Sequence, residues 1–153
     1  MPAYLTYYIW EGLLTGVING RLFHMSALSG GAGGSTQRRT TDAANNPYME
    51  GLKTTGAAKA KGHTHGGPIP PGSYTIKKPG QHRHLGLSAQ LVHPRWKPMG
   101  RDGFYIHGRG PHGSDGCIVP LAPHNFQELM SALTTTNGGE LVVQESMSGD
   151  RFA

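Results

Sequence analysis

Hydrophobic and polar residues alternate along several short stretches of the chain, which is the pattern of half-buried β-strands. The aromatic and β-branched run over residues 4–10 predicts a first strand, and residues 13–18 predict a second. Asn19-Gly20 then favours a type I′ hairpin that returns the chain as a third strand over residues 21–27. The N-terminal part of the chain is therefore predicted to be an antiparallel β-sheet.

Further alternation predicts strands over residues 73–77, 85–93, 104–107 and 139–145. In the last of these strands, Leu141 and Val143 are expected on one face and Val142 on the other. Residues 123–133 alone have convincing helical spacing, and Pro123 suits the first turn. The positions of this helix that are expected to face the core are Phe126, Leu129, Met130 and Leu133.

Residues 29–60 are rich in Gly, Thr, Ala and Asn and show little periodicity. They predict a long loop over the sheet, with a short helical turn near residues 45–52. So long a loop in a small domain is expected only if it shapes a functional site. The glycine run 30–36 is not a phosphate-binding loop, because no Gly-Lys-Ser/Thr follows it.

The composition agrees with this pattern: 24 glycines and 11 prolines accompany 36% hydrophobic residues among 153. Short strands and many turns are typical of such a balance, and the length is that of a single domain over residues 1–153. We expect a mainly β fold, namely a compact curved sheet or sandwich with one short helix. Charged residues make up only 15% of the chain, which argues against a disordered protein.

The net charge of +5 favours anionic surroundings. Its basic residues are scattered, without a dense run or a recognition helix, so nucleic-acid binding is not expected. A carboxylate-rich cell wall fits the sign of the charge equally well. The N-terminus has neither the basic region nor the apolar run of a signal peptide, and no segment is long and apolar enough to insert in a membrane.

Cys117 is the only cysteine, and His107 lies ten positions before it across a loop rich in glycine. Residues 105–107 predict the end of a strand, and a turn after them can bring the imidazole back beside the thiol. A thiol becomes a strong nucleophile as thiolate, and a nearby histidine is a common means of forming one. The structural alternative is a small buried hydrophobic residue, which is common for free cysteine.

Gly116 precedes the thiol and allows a substrate to approach the backbone closely. The N–H groups of Gly116 and Cys117 are candidates for an oxyanion site, often the largest electrostatic contribution to acyl transfer. The sequence thus predicts a cysteine nucleophile with a histidine base.

A zinc site is the main alternative from the residues, because His63-x-His65 and His82-x-His84 each place two imidazoles on one face of an extended chain. Asp102, His107 or His112 would be the third ligand. No helical His-Glu-x-x-His accompanies them, and both pairs lie in Gly/Pro-rich turns where exposed histidine is common. A zinc-dependent hydrolase stays open as one alternative, and a non-catalytic cell-wall-binding module as another.

Three segments together resemble the L,D-transpeptidases. They are Ile106-His107-Gly108, Ser114-Asp115-Gly116-Cys117-Ile118 and residues 66–76, a Pro-Gly turn that feeds a strand. With the N-terminal hairpin and the Ser-Ala-Leu-Ser-Gly-Gly segment at 26–31, the closer resemblance is to the small L,D-transpeptidase-like effectors of type VI secretion systems, over roughly residues 4–145.

The chain departs from the wider family at two places. Asp115 stands where most members have histidine, and Val119-Pro120 stands where an arginine expected to contact substrate carboxylates usually follows. The loop between His107 and Cys117 is also shorter than in the housekeeping enzymes, as in the effectors.

The resemblance implies a catalytic cysteine at Cys117, a base at His107 and a histidine-orienting backbone carbonyl at Gly108. It implies that Ser114 and Asp115 set the loop of the oxyanion site, and that no cofactor is required. The residues expected to contact substrate are Tyr105, Arg109 and His112.

The implied substrate is a peptidoglycan stem tetrapeptide, from which the terminal D-alanine leaves by L,D-carboxypeptidase action or by exchange for another D-amino acid. The implied role is that of a toxic antibacterial effector that leaves the producer without a Sec signal and acts in the periplasm of the target bacterium. Expected partners are stem peptides, secretion-system components and a cognate immunity protein.

Overall fold

A computed structural model describes residues 2–37, 39–51, 66–95, 97–110 and 113–148. In these residues, nine strands form a single sheet, and one α-helix lies between the last two strands. The strands are β1 (Ala3–Tyr8), β2 (Leu13–Ile18), β3 (Arg21–Ser29), β4 (Gly72–Ile76), β5 (Gly80–His82), β6 (Gly86–Val92), β7 (Phe104–His107), β8 (Ile118–Pro120) and β9 (Gly139–Gln144). The helix is α1 (Pro123–Thr135), and short 3-10 turns lie at Pro47–Met49 and Pro98–Gly100.

The sheet has the order β4-β9-β1-β2-β3-β8-β7-β6-β5, and β4 also pairs with β6. This last pairing closes the sheet on itself, so that most strands have two neighbours and few backbone edges stay open. The mainly β fold predicted from the sequence is confirmed. Of the two forms expected, the described residues adopt one continuous closed sheet rather than two stacked ones.

The N-terminal hairpins form as the sequence predicts. Tyr7 pairs with Leu14 and Leu14 with Met25, so these inward-facing residues make one buried row across three strands. Asn19 and Gly20 both have positive φ, at 51° and 81°, as a type I′ turn requires. Every second residue of these strands therefore faces the interior of the closed sheet.

The α1 helix contributes four buried side chains to this core: Phe126, Leu129, Met130 and Leu133. These are the four positions that helical spacing predicted. In β9, Leu141 and Val143 are buried while Val142 is 38% exposed, which also confirms the prediction. Two strands escaped prediction: β5 and β8 have three residues each, too few to show a period of two.

The long segment after β3 is irregular, as expected, but it is tied firmly to the sheet. Asn45 accepts the Ser29 N–H and the Tyr7 hydroxyl proton on its side-chain oxygen, at 2.8 Å and 2.7 Å. The predicted helical turn is the 3-10 turn Pro47–Met49. Residues 52–65, which include His63 and His65, lie outside the described part of the chain. Within the described part, no helix has the length and apolar character needed to cross a membrane.

Candidate active site

The β7 and β8 strands place the predicted nucleophile and base together. They run parallel, and Ile106 lies beside Ile118 in their register. Because side chains alternate across a strand, the two isoleucines point into the core while Tyr105, His107 and Cys117 share the opposite face. The parallel pairing therefore brings the imidazole and the thiol to one surface.

That surface is a groove with a volume of about 320 Å³. Cys117, His107 and Gly108 all line it, as do two of the three residues predicted to contact substrate, Tyr105 and Arg109. The third, His112, lies outside the described residues. Asp115 also lines the groove, and two residues of the β5–β6 turn, His84 and Leu85, form a wall that the sequence did not predict.

The His107 ring is oriented by the main chain. Its Nδ1 lies 2.8 Å from the Gly108 carbonyl oxygen. A carbonyl only accepts hydrogen bonds, so Nδ1 carries the proton and Nε2 is the basic nitrogen of the neutral ring. The orienting partner expected at Gly108 is therefore in place without any carboxylate.

Ser114 organises the loop that carries the thiol. It is buried, and its hydroxyl oxygen accepts the N–H groups of Gly30 and Gly116, at 3.0 Å and 3.1 Å. The same hydroxyl donates its proton to the Cys117 carbonyl. One side chain thus fixes both ends of the four-residue loop and attaches it to the segment after β3.

The remaining carbonyl groups of this loop also have donors. The Ser114 carbonyl accepts the Ala32 N–H at 2.9 Å, and the Gly116 carbonyl accepts the Ser29 hydroxyl at 3.1 Å. The Asp115 carbonyl accepts from Arg101 at 2.8 Å. Since each of these groups is satisfied by the protein, the loop is rigid before any substrate binds.

One expectation about the oxyanion site is corrected by this network. The Gly116 N–H donates to Ser114 Oγ, so this donor is already used within the loop and is not available to an oxyanion. The need for glycine at this position has a different cause: its φ is +137°, and a Cβ atom would lie 2.5 Å from Arg101 Nη2 and 2.9 Å from the Phe104 ring. Of the two predicted donors, the Cys117 N–H is the one left to face an oxyanion.

Arg101 is the main site residue that the sequence did not reveal. Its guanidinium is buried and donates to carbonyls of three separate segments. These acceptors are Glu50, Gly67, Pro68 and Asp115. The charge also lies 5.4 Å above the centre of the Phe104 ring. No local motif marks such a residue, because its partners are 14 to 51 positions away.

The thiol and the imidazole are both neutral at rest. Burial raises the pKa of the Cys117 thiol to about 12, and the nearby Asp115 carboxylate adds to this, while the Tyr105 N–H and the Arg101 charge oppose it. Burial also lowers the pKa of His107, against the contribution of the Gly108 carbonyl. The free protein therefore holds a neutral thiol and a neutral base in one groove rather than a thiolate–imidazolium pair.

Of the histidines in the zinc alternative, His82 has other contacts. His82 Nδ1 lies 2.7 Å from Ser88 Oγ, and its ring packs against Tyr105. Among residues 2–37, 39–51, 66–95, 97–110 and 113–148, no group of three His, Cys, Asp or Glu side chains is arranged to hold a metal ion.

Comparison with known proteins supports the assignment of the fold. The family model described as the Tlde1 domain matches residues 53–144, which is more than half of the chain. No match was found among curated proteins. The family match and the structural similarities confirm the resemblance inferred from the motifs.

Similar solved structures include an L,D-transpeptidase from Mycobacterium tuberculosis H37Rv, with 16% identity and a TM-score of 0.51, covering 94% of this chain and 58% of that one. The cell shape determining protein Pgp2 from Campylobacter jejuni has 12% identity and a TM-score of 0.54, covering 95% and 47%. An L,D-transpeptidase from Stackebrandtia nassauensis has 14% identity and a TM-score of 0.51, covering 98% and 58%. The chain thus spans about half to three fifths of the length of these proteins, and the likeness concerns the fold.

Proposed function

The chain belongs to the Tlde1 domain family, and from this membership we propose that it is a cysteine enzyme acting on peptidoglycan stem tetrapeptides. The observation that carries the proposal is the common groove of Cys117 and His107, with the imidazole oriented by the Gly108 carbonyl. The activity is L,D-carboxypeptidase action, D-amino acid exchange, or both.

Acylation begins when His107 Nε2 takes the thiol proton and Sγ attacks the carbonyl carbon of diaminopimelate, the third residue. This carbonyl forms the peptide bond to the terminal D-alanine. The Cys117 N–H stabilises the oxyanion of the tetrahedral intermediate. The imidazolium then returns its proton to the leaving amine, and a thioester remains on Cys117. No metal or organic cofactor takes part in these steps.

Deacylation decides the product. Attack by water, with His107 as base, releases a tripeptide and amounts to carboxypeptidase action. Attack by the amine of a free D-amino acid rebuilds a tetrapeptide with a different last residue. Either outcome removes the donors that a growing wall needs for crosslinking.

The electrostatics of the groove favour proton transfer during attack rather than before it. A thiol with a pKa near 12 and an imidazole with a lowered pKa do not form a stable ion pair in the free protein. The nucleophile is therefore generated only when an acyl carbonyl is positioned to accept the developing charge. An enzyme of this kind protects its thiol from reaction with other electrophiles.

The proposed biological role is that of a toxic effector delivered by a type VI secretion system into the periplasm of a neighbouring bacterium. The net charge of +5 suits a substrate rich in carboxylates. The proposed partners are components of the secretion machine and a cognate immunity protein that covers the groove in the producer's periplasm.

The proposal is tested by incubating the protein with defined tetrapeptide muropeptides, with and without added D-amino acids, and analysing the products by mass spectrometry. We expect tripeptide, exchanged tetrapeptide, or both, and no reaction with Cys117→Ala. Full activity in Cys117→Ala would refute the nucleophile. Stoichiometric zinc together with loss of activity on chelation would favour the hydrolase alternative, and unchanged muropeptides would favour a binding module.

A further inference from the structure

The turn between β5 and β6 forms one wall of the groove, and its conformation is unusual. His84 has a φ of +71°, in the left-handed region that residues with a Cβ rarely occupy. Gly86, two residues later at the start of β6, has a φ of +69°. A conformation that glycine adopts at little cost is therefore held by histidine at a position that lines the same groove as Cys117. Strained residues of this kind concentrate at ligand-binding sites.

The two histidines of the turn have different surroundings. His82 lies within hydrogen-bond distance of Ser88 Oγ and packs on the ring of Tyr105, so it supports a residue that lines the groove. His84 is exposed and lines the groove itself. The pair that suggested zinc in the sequence thus separates into one supporting residue and one residue at the site.

The proposed substrate requires a cationic or N–H donor group close to the thiol. A carboxypeptidase substrate ends one residue beyond the attacked carbonyl, so its free carboxylate lies roughly 3.5 Å further along the chain. The groove that Cys117 lines has a volume of about 320 Å³, which leaves room for this additional residue. An anion held there without a partner would lose its hydration at a large cost.

Among the described residues that line the groove, few side chains carry a cation or an N–H donor that can serve as this partner. His107 is needed for proton transfer. Arg101 is buried, and the N–H groups of its guanidinium already donate hydrogen bonds to four carbonyls. Asp115 also lines the groove, but its carboxylate would repel the terminal carboxylate of the substrate. His84 and Arg109 remain, on two separate segments. Arg109 donates its Nε to the Gly34 carbonyl at 3.4 Å, a bond that does not use its two terminal nitrogens.

We propose that His84 is a specificity-determining residue, which donates an imidazole N–H to the terminal carboxylate of the leaving D-amino acid, with Arg109 as the second donor. This inference rests on the proposed function and names the part of the substrate that the groove recognises. In exchange reactions, the same contact receives the carboxylate of the incoming D-amino acid. The enzyme is thereby restricted to chain-terminal residues with a free carboxylate.

The test compares a tetrapeptide muropeptide that ends in a free carboxylate with the same compound ending in a carboxamide. His84→Asn and His84→Gly remove the imidazole and tolerate a positive φ, so the turn keeps its shape. Arg83→Asn is the matched control. Arg83 is an exposed residue of the same turn that does not line the groove, so this substitution removes a charge from the turn and leaves the groove unchanged. Circular dichroism and melting curves verify that each variant is folded.

We expect His84→Gly, which leaves no side-chain donor, to raise KM for the free carboxylate about tenfold, as the loss of one charge-assisted hydrogen bond predicts, with kcat nearly unchanged. Its KM for the carboxamide should not change, so the preference for the free carboxylate falls. Arg109→Gln should act in the same direction, and Arg83→Asn should behave as wild type.

Two results would overturn the inference and leave the proposed function intact: His84 variants with an unchanged preference for the free carboxylate, or a wild-type enzyme that processes both compounds equally. Failure of the wild type to process either compound would instead count against the proposed function. A matching loss of preference in Arg83→Asn would show that the turn's overall charge, rather than the imidazole, is responsible, and would also overturn the inference.

Discussion

Replacing Arg101 by methionine tests whether a buried arginine holds the thiol loop in place. The substitution keeps an unbranched side chain but removes the donor to four carbonyls, those of Glu50, Gly67, Pro68 and Asp115. Each buried carbonyl left without a donor costs about 1–3 kcal/mol, while removal of a desolvated charge returns part of that sum. We expect a net loss of about 3 kcal/mol in the free energy of unfolding, or roughly 6–12 °C in Tm for a chain of this size.

Two measurements separate local from global effects. Urea unfolding gives the stability, and hydrogen exchange followed by mass spectrometry reports on the protection of residues 113–118. Arg101→Lys keeps the charge but has one compact ammonium for acceptors on three segments, so its loss should be intermediate. Arg95→Met, at an exposed position, is the control and should change neither measurement. Wild-type stability and wild-type loop protection in Arg101→Met would refute the role assigned to this residue.

Four further predictions concern the thiol loop and His107. Ser114→Ala should lower the free energy of unfolding by about 2–4 kcal/mol in urea titrations, because it removes a buried hydroxyl that accepts two N–H groups and donates to the Cys117 carbonyl. A loss below about 1 kcal/mol would contradict the role of these three hydrogen bonds in holding the loop. At Gly113, with a φ of +69°, the Cβ atom of an alanine would lie 2.3 Å from a backbone carbonyl oxygen, whereas at Gly20, with a φ of +81°, it would meet open space. Gly113→Ala should therefore lower Tm more than Gly20→Ala does, and equal losses of Tm would show that only backbone strain matters. Because the pKa of the Cys117 thiol is raised to about 12, its alkylation by iodoacetamide should be slow at pH 7 and should rise about tenfold per pH unit into the alkaline range, whereas rapid alkylation at pH 6 that does not depend on pH would indicate an ion pair. Because the pKa of His107 is lowered from 6.5, kcat/KM should rise with pH on a limb centred below 6.5.

The same pKa changes affect stability, with a sign that follows from proton binding. Below pH 6.5 an unfolded chain protonates His107 while the buried imidazole resists, so stability falls as the pH drops through this range. Above pH 9 the unfolded chain ionises Cys117 while the folded one does not, so stability also falls there. Maximal stability is therefore expected between these limits.

Local pattern was sufficient for the longer elements of the fold. The hairpins of β1, β2 and β3, the helix α1 and its four core residues follow from alternation, a turn dipeptide and helical spacing, all of which act within about a dozen residues. The three-residue strands β5 and β8 did not follow, because so short a segment adopts its conformation from the neighbours with which it pairs.

The sequence by itself determined the candidate chemistry of this protein: a single thiol, a histidine ten residues earlier, and glycine where the backbone has no room for a side chain. Tertiary structure alone decided how that chemistry is arranged. The parallel pairing of β7 with β8 sets the shared face of thiol and imidazole, Arg101 and the segment after β3 fix the loop, and the β5–β6 turn brings His84 to the groove. These contacts join segments separated by tens of residues, and burial in the closed sheet sets the protonation of both reactive groups. Neither effect is encoded in any local stretch of the chain, because both depend on which distant residues exclude water.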